Sequence, residues 1–167
     1  GTGGEGSVFR KAGTAVKIYT DPGKMSADGM VDKVQILAGF SHPYIVAPRG
    51  LALGARGAPV GFWMDCADGE PLPRTFTNAY RARAGFGDQQ ARTAAGRMLD
   101  AVRYAHSRGA VMVDANSMNW LLAVAGGDPE PRALDADAWK IGRWPAKVIM
   151  PSVRDSFLGC KALPLWF

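Results

Sequence analysis

The sequence predicts an α+β protein in two parts, a strand-rich first third and a helix-rich remainder. Short strand patterns dominate the first 64 positions, with one helical pattern among them. After a polar, turn-forming run, Asp65-Cys66-Ala67-Asp68-Gly69-Glu70-Pro71, helical periodicity takes over. The expected organisation is therefore 1–64, a linker at 65–71, and 72–167. With 47% apolar and 21% charged residues in 167, the chain has the composition of a folded domain with an ordinary core and not of a disordered tail.

Each element has its own signal. Ser7 to Lys11 alternates apolar with polar residues, and Thr14 to Tyr19 repeats the pattern after Gly13, as a β-hairpin would. From Ser26 to Phe40, Met30, Val31, Val34, Ile36 and Leu37 approximate one helical face, which Ser41-His42-Pro43 ends. Ile45-Val46 and Leu51-Ala52-Leu53 read as short strands around Pro48-Arg49-Gly50, and Val60 to Met64 as a more buried one. The strongest helix runs from an Asp88 cap to Ser107, with Ala91, Ala94, Ala95, Met98, Val102 and Ala105 on one stripe, and Gly109 stops it. Trp120 to Val124 and Arg132 to Leu134 then flank a Gly126-Gly127-Asp128-Pro129 turn as a second hairpin.

Composition excludes several classes of function. Two cysteines, Cys66 and Cys160, and two histidines, His42 and His106, do not make a zinc site, and no Cys-x-x-Cys pair is present. No stretch approaches the length of apolar sequence that spans a bilayer, and the glycine-rich opening has no signal-peptide pattern, so a reduced, cytoplasmic setting is expected. The formal charge of +5 fits an anionic ligand but is too diffuse to indicate nucleic acid. The chain opens inside a glycine loop and closes on Leu165-Trp166-Phe167, so it is expected to be an excerpt at both ends.

Gly1-Thr2-Gly3-Gly4-Glu5-Gly6-Ser7-Val8 fits G-x-G-x-x-G-x-V, a spacing that lets backbone N–H groups approach phosphate oxygens, although a plain glycine turn would read the same way. A dinucleotide fingerprint needs a helix directly after it and a Walker A loop needs Gly-Lys-Ser/Thr, and neither is present. Lys17, in Ala15-Val16-Lys17, is placed to aim an ammonium at such phosphates, or to be a solvated edge lysine. Asp32 on the next helix is the candidate partner for it. Asp114-Ala115-Asn116-Ser117-Met118-Asn119 and Asp135-Ala136-Asp137 supply the hard oxygen ligands that suit Mg²⁺, but Asp and Asn also populate turns for backbone reasons.

The order of these parts, glycine loop, strand lysine, helix acid, linker, long helix, D-x-x-x-x-N, hairpin and D-x-x, resembles the protein kinase catalytic domain. His42-Pro43-Tyr44-Ile45-Val46 also resembles the H-P-N-I-V segment after the helix of the kinase small lobe. The wording Val113 to Leu122 and Leu134 to Trp139 is similar to divergent bacterial and phage members, in which G-D-V-N-P-x-N and I-D-x-D-x-F-Q stand in these places.

The resemblance implies a two-lobe fold. Residues 1–64 would be a small β-rich lobe with one helix and without its first strand, 65–71 the hinge, and 72–167 the first part of a mainly helical large lobe. It implies ATP and Mg²⁺ as cofactors. Gly1, Gly3 and Gly6 would cover the phosphates, with Val8 and Ala15 also at nucleotide-binding positions, and Lys17, oriented by Asp32, would bind the α/β-phosphates. Met64 would gate the adenine pocket and the Asp65, Cys66 and Ala67 backbone would face the base. Asp114 would take the substrate hydroxyl proton, and Asn119 and Asp135 would hold the metal.

The expected activity is transfer of the ATP γ-phosphate to a protein Ser/Thr hydroxyl, with neither nucleic acid nor membrane as partner. Met112-Val113 replace His-Arg, Asn116 replaces a lysine, and Ala136-Asp137 replace Phe-Gly, so control through activation-loop phosphorylation and a Phe switch is not expected. Two alternatives stand beside this reading: a pseudokinase that binds nucleotide as a scaffold or regulator, and a small-molecule kinase of aminoglycoside type. These residues by themselves are expected to be weakly stable and little active, because a sheet without its outer strand exposes an edge.

Overall fold

The computed structural model describes residues 5–21, 23–27, 29–113 and 116–142. The fold is mixed α+β, its strands all in antiparallel sheets, and the chain divides into two compact units, Gly1–Ser41 with Val46–Cys66, and His42–Ile45 with Ala67–Phe167.

In the first unit, β1 (Gly6–Lys11) and β2 (Thr14–Tyr19) form the hairpin that alternation predicts, and a short helix, α1 (Gly23–Ala27), comes next. The single helix expected over Ser26 to Phe40 is instead two, because Gly29 adopts a left-handed conformation (φ 60°) and α2 (Met30–Ala38) starts afresh after it. β3 (Pro48–Leu53) is one strand where two short ones were expected. A proline can stand at the first position of an edge strand because its missing N–H costs no ladder bond. β4 (Pro59–Asp65) completes a four-stranded sheet in the order β1-β2-β4-β3.

Burial along β2 alternates strictly: Ala15, Lys17 and Tyr19 face inward, while Thr14, Val16 and Ile18 are half-exposed. Tyr19 and Phe62 pack with Met25 of α1 and Val34 of α2 in a core that Met30, Val31, Leu51 and Met64 border. Gly61 lies opposite Ile18 in the β2–β4 pair, and a Cβ there would overlap the Lys17 carbonyl oxygen.

The second unit begins with β5 (Glu70–Pro71), α3 (Leu72–Thr75) and α4 (Asn78–Ala84). Of the run expected as a linker, Asp65 thus closes β4 and Glu70-Pro71 pairs with a later strand. The long helix α5 (Asp88–Ser107) has its expected span, and its buried stripe is Ala91, Ala94, Met98, Ala101, Val102 and Ala105. Gly87, not Asp88, is its N-cap residue, and the Gly87 N–H donates to Gln90 Oε1 at 3.1 Å. After it come β6 (Ala110–Val111), β7 (Trp120–Ala125) and β8 (Asp128–Ala133), then β9 (Lys140–Ile141), which pairs with β6.

The turn between β7 and β8 is only Gly126-Gly127, both at positive φ (58° and 84°), as a two-residue hairpin loop requires. Asp128-Pro129, expected in that turn, belongs to β8, an edge strand that tolerates proline. Trp120, Leu122, Ala94, Met98 and Ala105 are buried in this unit. Among the described residues, no helix is long and apolar enough to cross a membrane.

The segment His42–Ile45 belongs to the second unit although its chain neighbours lie in the first. Ile45 bridges to Ala133, and the Ala133 N–H donates to the Tyr44 carbonyl at 2.8 Å. The His42 ring packs on Tyr104 (4.9 Å between centroids) and edge-on to Tyr44 (5.5 Å), and Arg97 lies over Tyr44 while pairing with Asp128 at 2.9 Å. Nδ1 of His42 accepts the Tyr44 N–H at 3.3 Å.

This packing sets two expected outcomes. Gly61→Ala should destabilise the fold by about 2–3 kcal/mol, since the overlap is with backbone and cannot relax by a rotamer change; denaturant titration reads this. His42 has its pKa lowered below 6.5, by burial first, with the Asp100 carboxylate opposing. The folded chain therefore takes up this proton later than the unfolded one as pH falls. Stability from neutral His42 is complete above pH 6.5 and is lost as pH falls through the folded pKa. Denaturation midpoints should decline through that window, and His42→Gln should flatten the decline.

Candidate functional site

The residues singled out by sequence lie in two clusters, one in each unit. In the first, strand register places them on one face of the sheet. Directly opposed residues share a face. Val8 is opposite Lys17, Lys17 opposite Phe62, and Ala15 opposite Met64, so Val8, Ala15, Lys17, Phe62 and Met64 look the same way, with Gly6 beside Tyr19 at the end of the same face.

Lys17 is only 7% exposed, which removes the solvated-edge alternative for it. Its Nζ lies 5.5 Å from the centre of the Tyr19 ring and 5.9 Å from that of Phe62. These two aromatic neighbours were not found by sequence reasoning. The parity of β2 carries the signal for Tyr19, two positions from Lys17 on the same side, but nothing in the sequence gives the pairing that brings Phe62.

Three of the expected site residues have structural settings of their own. Asp32, expected to orient Lys17, lies exposed on the first turn of α2, where a negative charge suits the helix N-terminus. The helix residue that turns inward is its neighbour Lys33. Gly6 has a structural reason to be glycine, because a Cβ there would overlap the Ile18 carbonyl oxygen across the β1–β2 pair. The Cys66 N–H donates to the Gly13 carbonyl at 2.8 Å, so of the three backbone groups expected to face a base this donor is already engaged.

The Asp65 side chain pairs with Arg49 at 2.9 Å, Cys66 is a half-buried free thiol, and Ala67 is buried within the second unit. Gly1, Gly3 and Asp114 lie outside the described residues.

In the second unit the β7–β8 hairpin brings Asn119 and Asp135 to one end. Trp120 pairs with Ala133 as the last ladder pair, and just beyond it the Leu134 N–H donates to the Asn119 carbonyl at 2.8 Å. Asn119 closes a 3₁₀ turn, Ser117–Asn119, which Asn116 caps: its side-chain oxygen accepts the Met118 N–H at 2.8 Å. Asn116, the residue in place of the usual lysine, therefore shapes the turn that presents Asn119.

Asp135 is held in the left-handed region (φ 52°, ψ 41°), one of two residues other than glycine at positive φ among those described. Two residues on, Asp137 is 2% exposed, a buried carboxyl that the D-x-D spacing signalled but to which no role was assigned. Asn119 and Asp135 together offer an amide and a carboxylate oxygen. That donor set fits Mg²⁺, which binds through one or two protein oxygens and keeps several waters.

No family model matches the chain, and a search of curated proteins finds no match. The left-handed geometry makes a prediction of its own. Asn adopts this conformation at less cost than Ala does, so Asp135→Ala should cost about 1–2 kcal/mol of stability while Asp135→Asn should cost little, as paired thermal melts would measure.

Proposed function

We propose that the chain carries the nucleotide- and metal-binding residues of a Mg²⁺-dependent, ATP-using phosphotransferase of protein-kinase type. Its first unit is read as the strand-rich small lobe of that fold and its second as the first part of the large lobe. The observation that carries the reading is the burial of Lys17 on the sheet face that also holds Val8, Ala15 and Met64. An ammonium on a face of otherwise apolar positions is little screened by water, so it attracts an incoming phosphate more strongly than a surface lysine does.

In this reading Lys17 binds the α/β-phosphates, and Asn119 and Asp135 hold Mg²⁺, which neutralises phosphate charge when bound. The bond from the γ-phosphorus to the ADP oxygen breaks, a bond to the acceptor oxygen forms, and Asp114 takes the acceptor's proton. The acceptor is a protein Ser/Thr hydroxyl, and a small-molecule hydroxyl is its competitor.

Met112-Val113 in place of His-Arg and Asn116 in place of a lysine favour a second reading, a nucleotide-binding regulator without turnover. Labelled ATP offered to the full-length protein with protein and aminoglycoside acceptors separates the possibilities. The leading reading expects phosphoprotein, with Lys17→Met and Asp135→Asn each lowering transfer roughly a hundredfold or more. Asp135→Asn should also remove the Mg²⁺ dependence of nucleotide binding. Nucleotide binding without transfer would select the regulator, phosphorylated aminoglycoside the small-molecule kinase, and unchanged transfer in either variant would end the assignment.

A further inference from the structure

We infer that Tyr19 and Phe62 are positioning residues for Lys17, forming an aromatic seat that holds its ammonium for phosphate. This rests on the phosphotransferase reading and adds a part to it that neither motif nor spacing supplies.

The seat arises from strand geometry. Tyr19 is two residues from Lys17 on β2 and so projects from the same face, and Phe62 stands directly opposite Lys17 on β4. Both rings are buried, 3% and 2% exposed, and they pack against each other at 6.2 Å with a 59° tilt. A ring in each of two neighbouring strands therefore borders the ammonium, at 5.5 Å and 5.9 Å from the ring centres. Both distances are within the range over which a ring face attracts a cation, and the attraction is strongest where water is excluded.

Aromatic quadrupoles attract the ammonium without adding a net negative charge of their own. The rings, fixed in the core with Met25 and Val34, also tie the position of the ammonium to the packing of α1 and α2.

Titration calorimetry with ATP and with adenosine, which lacks phosphates, tests the role. Tyr19→Leu and Phe62→Leu should each weaken ATP binding roughly threefold to thirtyfold and leave adenosine binding unchanged, while Tyr19→Phe should bind ATP as the unaltered protein does. In a Lys17→Met background, Tyr19→Leu should cause no further loss, because its effect runs through the ammonium. Should the leucine variants fail to fold, pentafluorophenylalanine at position 62 keeps the ring's shape while reversing its quadrupole, and the same loss of ATP affinity is expected. Parallel loss of adenosine affinity, additive loss in the Lys17→Met background, or full ATP affinity with the fluorinated ring would reduce the rings to packing and overturn the inference. Unchanged ATP binding in Lys17→Met alone would instead overturn the phosphotransferase reading, so the two failures are distinguishable.

Discussion

The pleat of β2 fixes the first unit. With one neighbour on each side, β1 and β4, this strand can shift register only by turning Ala15, Lys17 and Tyr19 together out of the core and Thr14, Val16 and Ile18 into it. The buried lysine is therefore not a local accident but a consequence of the alanine and the tyrosine that share its parity. Gly61 closes the constraint from the other side, since β4 can reach the Lys17 carbonyl only without a side chain there. Backbone approach and side-chain burial meet at one residue, and the aromatic surroundings of its ammonium come from the same two strands.

In the second unit the equivalent economy lies in a short hairpin. Two consecutive glycines at positive φ make the tightest loop that joins antiparallel strands without splaying them. The far end of the ladder then juxtaposes the turn that leads into β7 with the residues just past β8. Asn116 holds one flank through its capped turn, and Asp135 occupies a backbone conformation that few side chains accept. Conformations of this kind persist where surrounding structure enforces them, and here the hydrogen bonds from the Ala138 N–H to the Asp135 carbonyl (2.9 Å) and from the Leu134 N–H to the Asn119 carbonyl do so.

Much of this was legible in the sequence because it is periodic. The β1–β2 hairpin and α5 declare themselves by alternation and by a stripe of small apolar residues, which local sequence alone specifies. Features that depend on contacts distant in the chain were not legible. The two-residue strands β5, β6 and β9 exist only because a partner strand arrives beside them, and Phe62 meets Lys17 only through pairing. Asp32 and Lys33 differ by one position on a helix whose start is set by a left-handed Gly29, so a loose reading of the register could not tell the inward residue from the outward one. Pro129 was read as a turn residue because proline is rare inside strands, and only the edge position of β8 makes it acceptable.

The excursion of His42–Ile45 bears on how the chain can be taken apart. Since the first unit is built from 1–41 and 46–66, with four intervening residues committed elsewhere, neither unit corresponds to one continuous stretch of sequence. A truncation after Cys66 would leave Tyr44 and Ile45 without Ala133, and His42 without the Tyr104 ring. A piece starting at Ala67 would carry β8 with the Ala133 N–H unpaired and its bridge to Ile45 lost. The boundary that composition draws most plainly, at the polar run after β4, is thus a poor place to cut. Complementation of two separately expressed halves would have to restore those four residues to β8 and α5 before either half regained its native surroundings.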